Sequence, residues 1–155
     1  MNASRKIAMG LVGSIAVVLA QGTPAVEPKS PEDVHMALRI LASVYADMES
    51  KLPNQMDRLP HENQEFQEGS GAMRDAMANE PGDFKAKVLA ALDQSTQAAQ
   101  KVSDTSASHD TAQIRSALDR LADSMRSLNA LFPEALRAEP GSVPAPVHGG
   151  APPNH

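Results

Sequence analysis

Two segments of this chain carry large apolar residues at alternating spacings of four and three positions. In the first segment these residues are Val34, Leu38, Leu41, Tyr45, Met48 and Leu52. In the second segment they are Ile114, Leu118, Leu121, Met125, Leu128 and Phe132. This spacing places each set on one face of an α-helix, and burial of that face requires another helix to pack against it. The two apolar seams therefore predict an all-α protein.

Capping residues and prolines mark the ends of these helices. Ser30 and Pro31 predict the start of the first helix, and Pro53 predicts its end or a kink. Ser108 or Asp110 predicts the start of the last helix. An Ala-rich stripe predicts a third long helix over about 83–102.

The stretch 53–82 is interrupted by several prolines and glycines. It predicts two short helices, at about 61–68 and 71–79, and residues 55–59 can alternatively extend the first helix. The expected fold is an antiparallel four-helix bundle with three long helices and a short irregular one.

The first 25 residues have the pattern of a secretory signal peptide. Arg5 and Lys6 precede an apolar run from Ile7 to Ala20, and cleavage is expected after Gly22 or Ala25. The run has about 14 residues, whereas a membrane span needs about 20, so no stable membrane anchor is expected. No twin-Arg pair is present, which favours Sec-type export of a soluble protein to the periplasm or beyond the cell.

The domain organisation follows from these segments. Residues 26–138 are expected to form the helical bundle domain. Residues 139–155 are rich in Pro and Gly with few large apolar residues, so this tail is expected to be disordered.

Composition excludes several kinds of function. The chain has no Cys, which rules out disulfides, a Cys-ligated zinc site, a thiol nucleophile and covalently attached haem. With 14 Lys+Arg against 19 Asp+Glu, it is not expected to bind nucleic acid.

No catalytic motif is visible, and the protein is expected not to be an enzyme. The Gly69-Ser70-Gly71 triplet has no following Lys, so it is not a phosphate-binding loop. The carboxylate pairs Glu62/Glu65 and Asp119/Asp123 have helix-surface spacing and are expected to be solvated.

Residues spread over about 31–136 follow the pattern of one known family. They are Phe66, Gly69 and Ser70 in a loop, Pro81, Asp83 and Phe84 at the third helix, Phe132 near the end, and Arg39 and Met48 on the first helix. In these residues the chain resembles cytochrome c prime and its low-spin relatives, which are periplasmic four-helix bundles. Met125 and Leu128 occupy the positions of the family's two haem-binding cysteines, and Asn129 occupies that of the axial His. The resemblance therefore implies the family's fold without its covalent haem, and no cofactor is predicted.

Four hypotheses of function remain from the sequence. The first is a role in binding a protein or a small ligand, through an apolar cavity or a helix face. The second is a copper-binding or metal-stress protein, because thioether sulfur is a soft ligand for Cu(I). Its candidate ligands are His35, Met48, Met73 and Met77, although packing of an irregular core is the preferred explanation of the methionines. The third is electron transfer through non-covalent haem between Met48 and Met125, and the fourth is a structural bundle that forms a homodimer through the first helix.

Overall fold

The computed structural model describes residues 25–146 and contains four α-helices in that range. They are α1 (Pro31–Ser50), α2 (Leu59–Ala76), α3 (Gly82–Ser106) and α4 (Thr111–Asn129), with short 3-10 helices at Met56–Arg58 and Glu134–Leu136. No strand occurs between residues 25 and 146, which confirms the predicted all-α class. The predicted signal peptide, apart from its last residue, and residues 147–155 of the predicted tail lie outside the described residues. No helix within the described part of the chain is both long and apolar enough to cross a membrane.

Each helix packs against the next one along the chain, and α1 also contacts α4. Contacts between α2 and α3 occur in opposite order along the two helices. Asn63 Nδ2 donates to Gln100 Oε1 at 3.0 Å near the start of α2, and Arg74 Nη2 lies 2.6 Å from Asp93 Oδ1 near its end. This order is the one expected for neighbouring helices of the predicted antiparallel bundle.

Both apolar seams form the core. Their members within α1 and α4, together with Phe132, are at most 5% exposed. Phe132 lies beyond the end of α4 and packs edge-on against Phe84, with ring centroids 5.8 Å apart. The start of α4 follows the prediction from Asp110, whose Oδ1 accepts hydrogen bonds from the backbone N–H groups of Ala112 and Gln113.

The second helix differs from the prediction of two short helices across 61–79. The structure has one continuous helix of 18 residues, so this part of the prediction is wrong. Gly69 does not end the helix, because it faces α1. A methyl group built on Gly69 would lie 2.8 Å from Ile40 Cγ2 and 3.3 Å from Leu41 Cδ2. The absence of a side chain at this position lets α2 approach α1 closely.

The connection between α1 and α2 also differs from the alternative in which residues 55–59 extend the first helix. α1 ends at Ser50, and residues 56–58 form a separate 3-10 helix, so residues 55–59 do not extend the first helix. The end of α1 before Pro53 is the outcome that the proline predicts.

The first part of the predicted tail lies against α1. Ser43 Oγ donates to the carbonyl oxygen of Pro144 at 3.3 Å, and Val143 packs against the core. Residues 139–146 thus have contacts with the bundle, and the domain boundary at residue 138 stays a prediction.

The two glycines of α2 offer a matched test of the close helix contact. We expect Gly71→Ala to raise the free energy of unfolding by about 0.5–1 kcal/mol, because alanine favours helix and nothing lies within 4 Å of a methyl group built there. Gly69→Ala has the same helix preference but forces its methyl group into Ile40, and overpacking costs about 1–3 kcal/mol. Urea denaturation should therefore find Gly69→Ala less stable than Gly71→Ala by about that amount. Equal stabilisation by both substitutions would contradict a fixed contact between α1 and α2.

Candidate functional site

The positions that correspond to the family's haem motif lie in the core at the end of α4. Met125, Leu128 and Asn129 are each at most 1% exposed. Asn129 Nδ2 donates to the carbonyl oxygens of Met125 at 2.9 Å and Ala138 at 3.2 Å. Asn129 Oδ1 accepts from the backbone N–H of Ala138 at 2.8 Å. The amide therefore ties the segment after α4 back onto the helix, and both its donor and its acceptor are used.

The four residues that the sequence offers as metal ligands do not share one site. Met48, Met73 and Met77 are fully buried in the core. Met48 lies near the end of α1 that contacts the start of α2, whereas Met73 and Met77 lie beyond Gly69, toward the start of α1. At about 1.5 Å per residue, Met48 and Met73 are roughly 15 Å apart along the helix axes, too far for one ion.

His35 is held by a different part of the chain. Its Nδ1 lies 2.9 Å from the carbonyl oxygen of Leu136, in the 3-10 helix that follows α4. This contact gives the ring a structural role between α1 and the C-terminal segment. Copper binding by the individual methionines stays a prediction, as does non-covalent haem between Met48 and Met125.

The most unusual polar feature of the described residues is a buried charged cluster between α1 and α2. Lys51 Nζ lies 2.9 Å from Asp47 Oδ1 and 3.4 Å from Glu62 Oε1. Asp47 and Glu62 are each 2% exposed, and Lys51 is nearly as buried. Ser50 Oγ donates a further hydrogen bond to Asp47 Oδ1 at 3.1 Å. The last turn of α1 is thereby joined to the first turn of α2 by charged groups that are largely shielded from water.

The position of Glu62 is a correction to the sequence analysis, which placed Glu62 and Glu65 on a solvated face. Glu62 is buried and Glu65 is half-buried, with its Oε1 3.3 Å from His61 Nε2. The other predicted pair behaves as expected, since Asp119 and Asp123 are exposed. The spacing of Glu62 and Glu65 along α2 could not reveal this burial, because the residues that cover Glu62 come from α1 and from the connection between the helices.

The buried carboxyl groups of Asp47 and Glu62 differ in the hydrogen bonds that they accept. Asp47 accepts hydrogen bonds from both Lys51 and Ser50. Glu62 Oε2 is buried and accepts no hydrogen bond. Because an ionised carboxylate has no proton to donate, Glu62 and Asp47 can hydrogen-bond to each other only when they share a proton. Burial raises the pKa of Glu62, and the neighbouring carboxylates of Asp47 and Glu65 raise it further, whereas Lys51 opposes them.

Lys51 keeps its positive charge in this environment. Burial acts to lower the pKa of Lys51, but the adjacent carboxylates of Asp47 and Glu62 outweigh it and leave the pKa raised. Lys51 is therefore charged beside Asp47, and Glu62 is the buried carboxyl group of the cluster whose pKa is raised.

A second feature is an open groove between α1 and α2, at the opposite end of α1 from the charged cluster. Its volume is about 330 Å³, and it is lined by Asp33, Met36, Ala72, Asp75 and Ala76. Met36 is 62% exposed, and Ile40, one turn further along α1, is 37% exposed. The groove thus combines an exposed apolar side chain with two carboxylates and small residues of α2.

Comparison with protein-family models finds no matching family, and comparisons with curated proteins and with solved structures find no match either.

The raised pKa of Glu62 predicts an unusual pH dependence of stability. The folded state holds a proton on Glu62 at pH values where the unfolded chain, with an ordinary pKa of 4.5, has released it. Stability from this group is thus greatest below that value and falls as the pH rises through the folded-state pKa. We expect Glu62→Gln to raise the free energy of unfolding at pH 8 by about 1–3 kcal/mol, because the amide carries no buried charge.

Urea denaturation from pH 4 to pH 8, in the presence of a chelator, measures this effect. Glu68→Gln on the exposed face of α2 is the control and should leave the pH profile unchanged. A Glu62→Gln protein that is less stable than the parent at pH 8 would show instead that an ionised Glu62 stabilises the fold through Lys51.

Proposed function

We propose that this protein is an exported, non-enzymatic helical bundle without covalent haem, and that it binds a partner protein through the groove between α1 and α2. The observation that carries the proposal is the exposed Met36 beside that groove. The core-facing side of α1 near Met36 is fully buried. The exposure of Met36 therefore does not come from a poorly packed helix.

The packing at the end of α4 supports a bundle that has no haem. The positions of the family's two cysteines hold Met125 and Leu128, which are buried in the core. Asn129, at the position of the axial ligand, is fully engaged with Met125 and Ala138. A bundle that resembles cytochrome c prime in scaffold would in this way replace the cofactor with side chains.

The charge around the groove favours a basic partner. Asp33 and Asp75 line it, and the whole chain has a formal net charge of −5. Complementary charge steers association and suppresses wrong partners. We therefore propose that the partner presents an amphipathic segment with Lys or Arg beside an apolar residue that contacts Met36. Two copies of this chain would bring like charges together, which disfavours a homodimer through the same groove.

The proposal that no haem is bound is tested by absorbance. The purified full chain should show no Soret band, and it should not take up haemin stoichiometrically, because the buried positions of α4 are filled. A saturable 1:1 band that is lost in Met125→Ala would contradict the proposal and favour the non-covalent haem alternative.

The proposed partner chemistry is tested with a synthetic amphipathic Lys/Leu helical peptide. Fluorescence anisotropy should show saturable binding that weakens with added salt, as expected for exposed charges. Met36→Ser, Asp33→Asn and Asp75→Asn should each weaken binding several-fold, by about 1 kcal/mol. Asp119→Asn on the exposed surface of α4 is the control and should bind as the parent does.

Binding that is weakened equally by the Asp119 substitution would indicate only general attraction to an acidic protein. Light scattering on the same samples tests the homodimer hypothesis, and a stable dimer that dissociates in Met36→Ser would replace the basic partner with a second copy of this chain.

A further inference from the structure

The buried cluster at the junction of α1 and α2 has no part in the function proposed above. One carboxylate oxygen from each of Asp47, Glu62 and Glu65 lies within 4.8 Å of the other two. Two of these carboxyl groups are buried, and the third, Glu65, connects the cluster to the surface. Such a convergence of carboxyl groups in a protein interior requires compensation by positive charge or by protonation.

Lys51 contributes one positive charge to this cluster of three carboxyl groups. The contacts of Lys51 are with Asp47 Oδ1 and Glu62 Oε1, while the second oxygen of Glu62 is buried and receives no donor. A buried polar atom without a partner destabilises the folded protein, and a ligand bound at that atom removes this cost.

We propose that Asp47, Glu62 and Glu65 form a binding site for one hard divalent cation, such as Mn²⁺. In this arrangement the ion binds the unpartnered Oε2 of Glu62, and Lys51 keeps its contacts with Asp47 Oδ1 and Glu62 Oε1.

The donor set determines the class of cation. All three ligands are carboxylate oxygens, which suit Mg²⁺, Ca²⁺ and Mn²⁺ rather than the soft ions that thioethers bind. Oxygens within 4.8 Å of one another can surround a single ion at the usual distances of about 2.0–2.6 Å. Water molecules would complete the coordination from the side of Glu65, which is only half-buried.

His61 lies at this open side. Its Nε2 is 3.3 Å from Glu65 Oε1, and its side chain is largely exposed. The ring can therefore orient Glu65 toward the cluster without itself entering the buried site. The cluster differs in this way from the Met and His candidates of the sequence analysis, none of which contributes to it.

Mn²⁺ binding to the full chain, measured by isothermal titration calorimetry and by electron paramagnetic resonance of free Mn²⁺, tests the proposal. The parent protein should bind one ion per chain. Glu62→Gln should weaken binding at least tenfold, because it removes the charge of the central ligand, and Glu65→Gln should weaken it by several-fold. Glu68→Gln, an exposed position on the same helix, should leave the affinity unchanged.

Absence of saturable binding at about 1 mM Mn²⁺, pH 8, would overturn the proposal, since that is the limit of a weak specific site. Binding that survives both Glu62→Gln and Glu65→Gln would overturn it as well, and so would binding that is lost in His148→Gln or His155→Gln. Circular dichroism identifies a variant that fails to fold. If Glu62→Gln fails in this way, Glu65→Gln alone decides the outcome, because an unchanged affinity in that variant excludes the site.

Discussion

The close approach of α1 to α2 is the contact on which the other features of this structure depend. Gly69 removes the side chain that would collide with Ile40 and Leu41, so the two helices can lie against each other near the middle of α2. Lys51 bridges the same helices at the other end of the contact. The register between α1 and α2 is thereby set at two points, and it places Glu62 beneath the last turn of α1 and Met36 beside Ala72.

The second half of the bundle is closed by an amide. Asn129 offers one donor and one acceptor in the same plane, and the backbone of Ala138 presents the complementary pair. A histidine or an aspartate at this position could not satisfy both groups of Ala138 at once. Asn129 therefore holds the C-terminal segment against the end of α4. The edge-on packing of Phe132 against Phe84 fills the neighbouring space.

The two apolar seams could be predicted from the sequence because their burial follows from the helix period alone. The seam positions in α1 and α4 are buried as their spacing predicts. The second helix could not be predicted in the same way, since Gly69 looks like a break until its neighbour on α1 is known. Local rules treat glycine as a helix breaker, and a contact between helices overrides them here.

The same limit applies to the charged cluster. Asp47 and Lys51 are one turn apart on or just after α1, and such pairs are commonly solvated on helix surfaces. Their burial depends on Glu62, which follows a non-helical connection whose path the sequence does not specify. The resemblance to a haem protein family concerns Met125, Leu128 and Asn129, and it gives no indication of the carboxyl groups of α1 and α2.

The groove and the charged cluster lie at opposite ends of α1, which bears on how far one can influence the other. Met36 and Lys51 are 15 residues apart, or roughly 22 Å along a helix that rises about 1.5 Å per residue. Charges separated by more than the Debye length, about 8 Å at physiological ionic strength, are largely screened where they face solvent. A cation at Glu62 would therefore change the groove only by moving α1 relative to α2, and the close contact at Gly69 lies between the two sites. Partner binding and cation binding should accordingly be nearly independent, unless the contact at Gly69 is loosened.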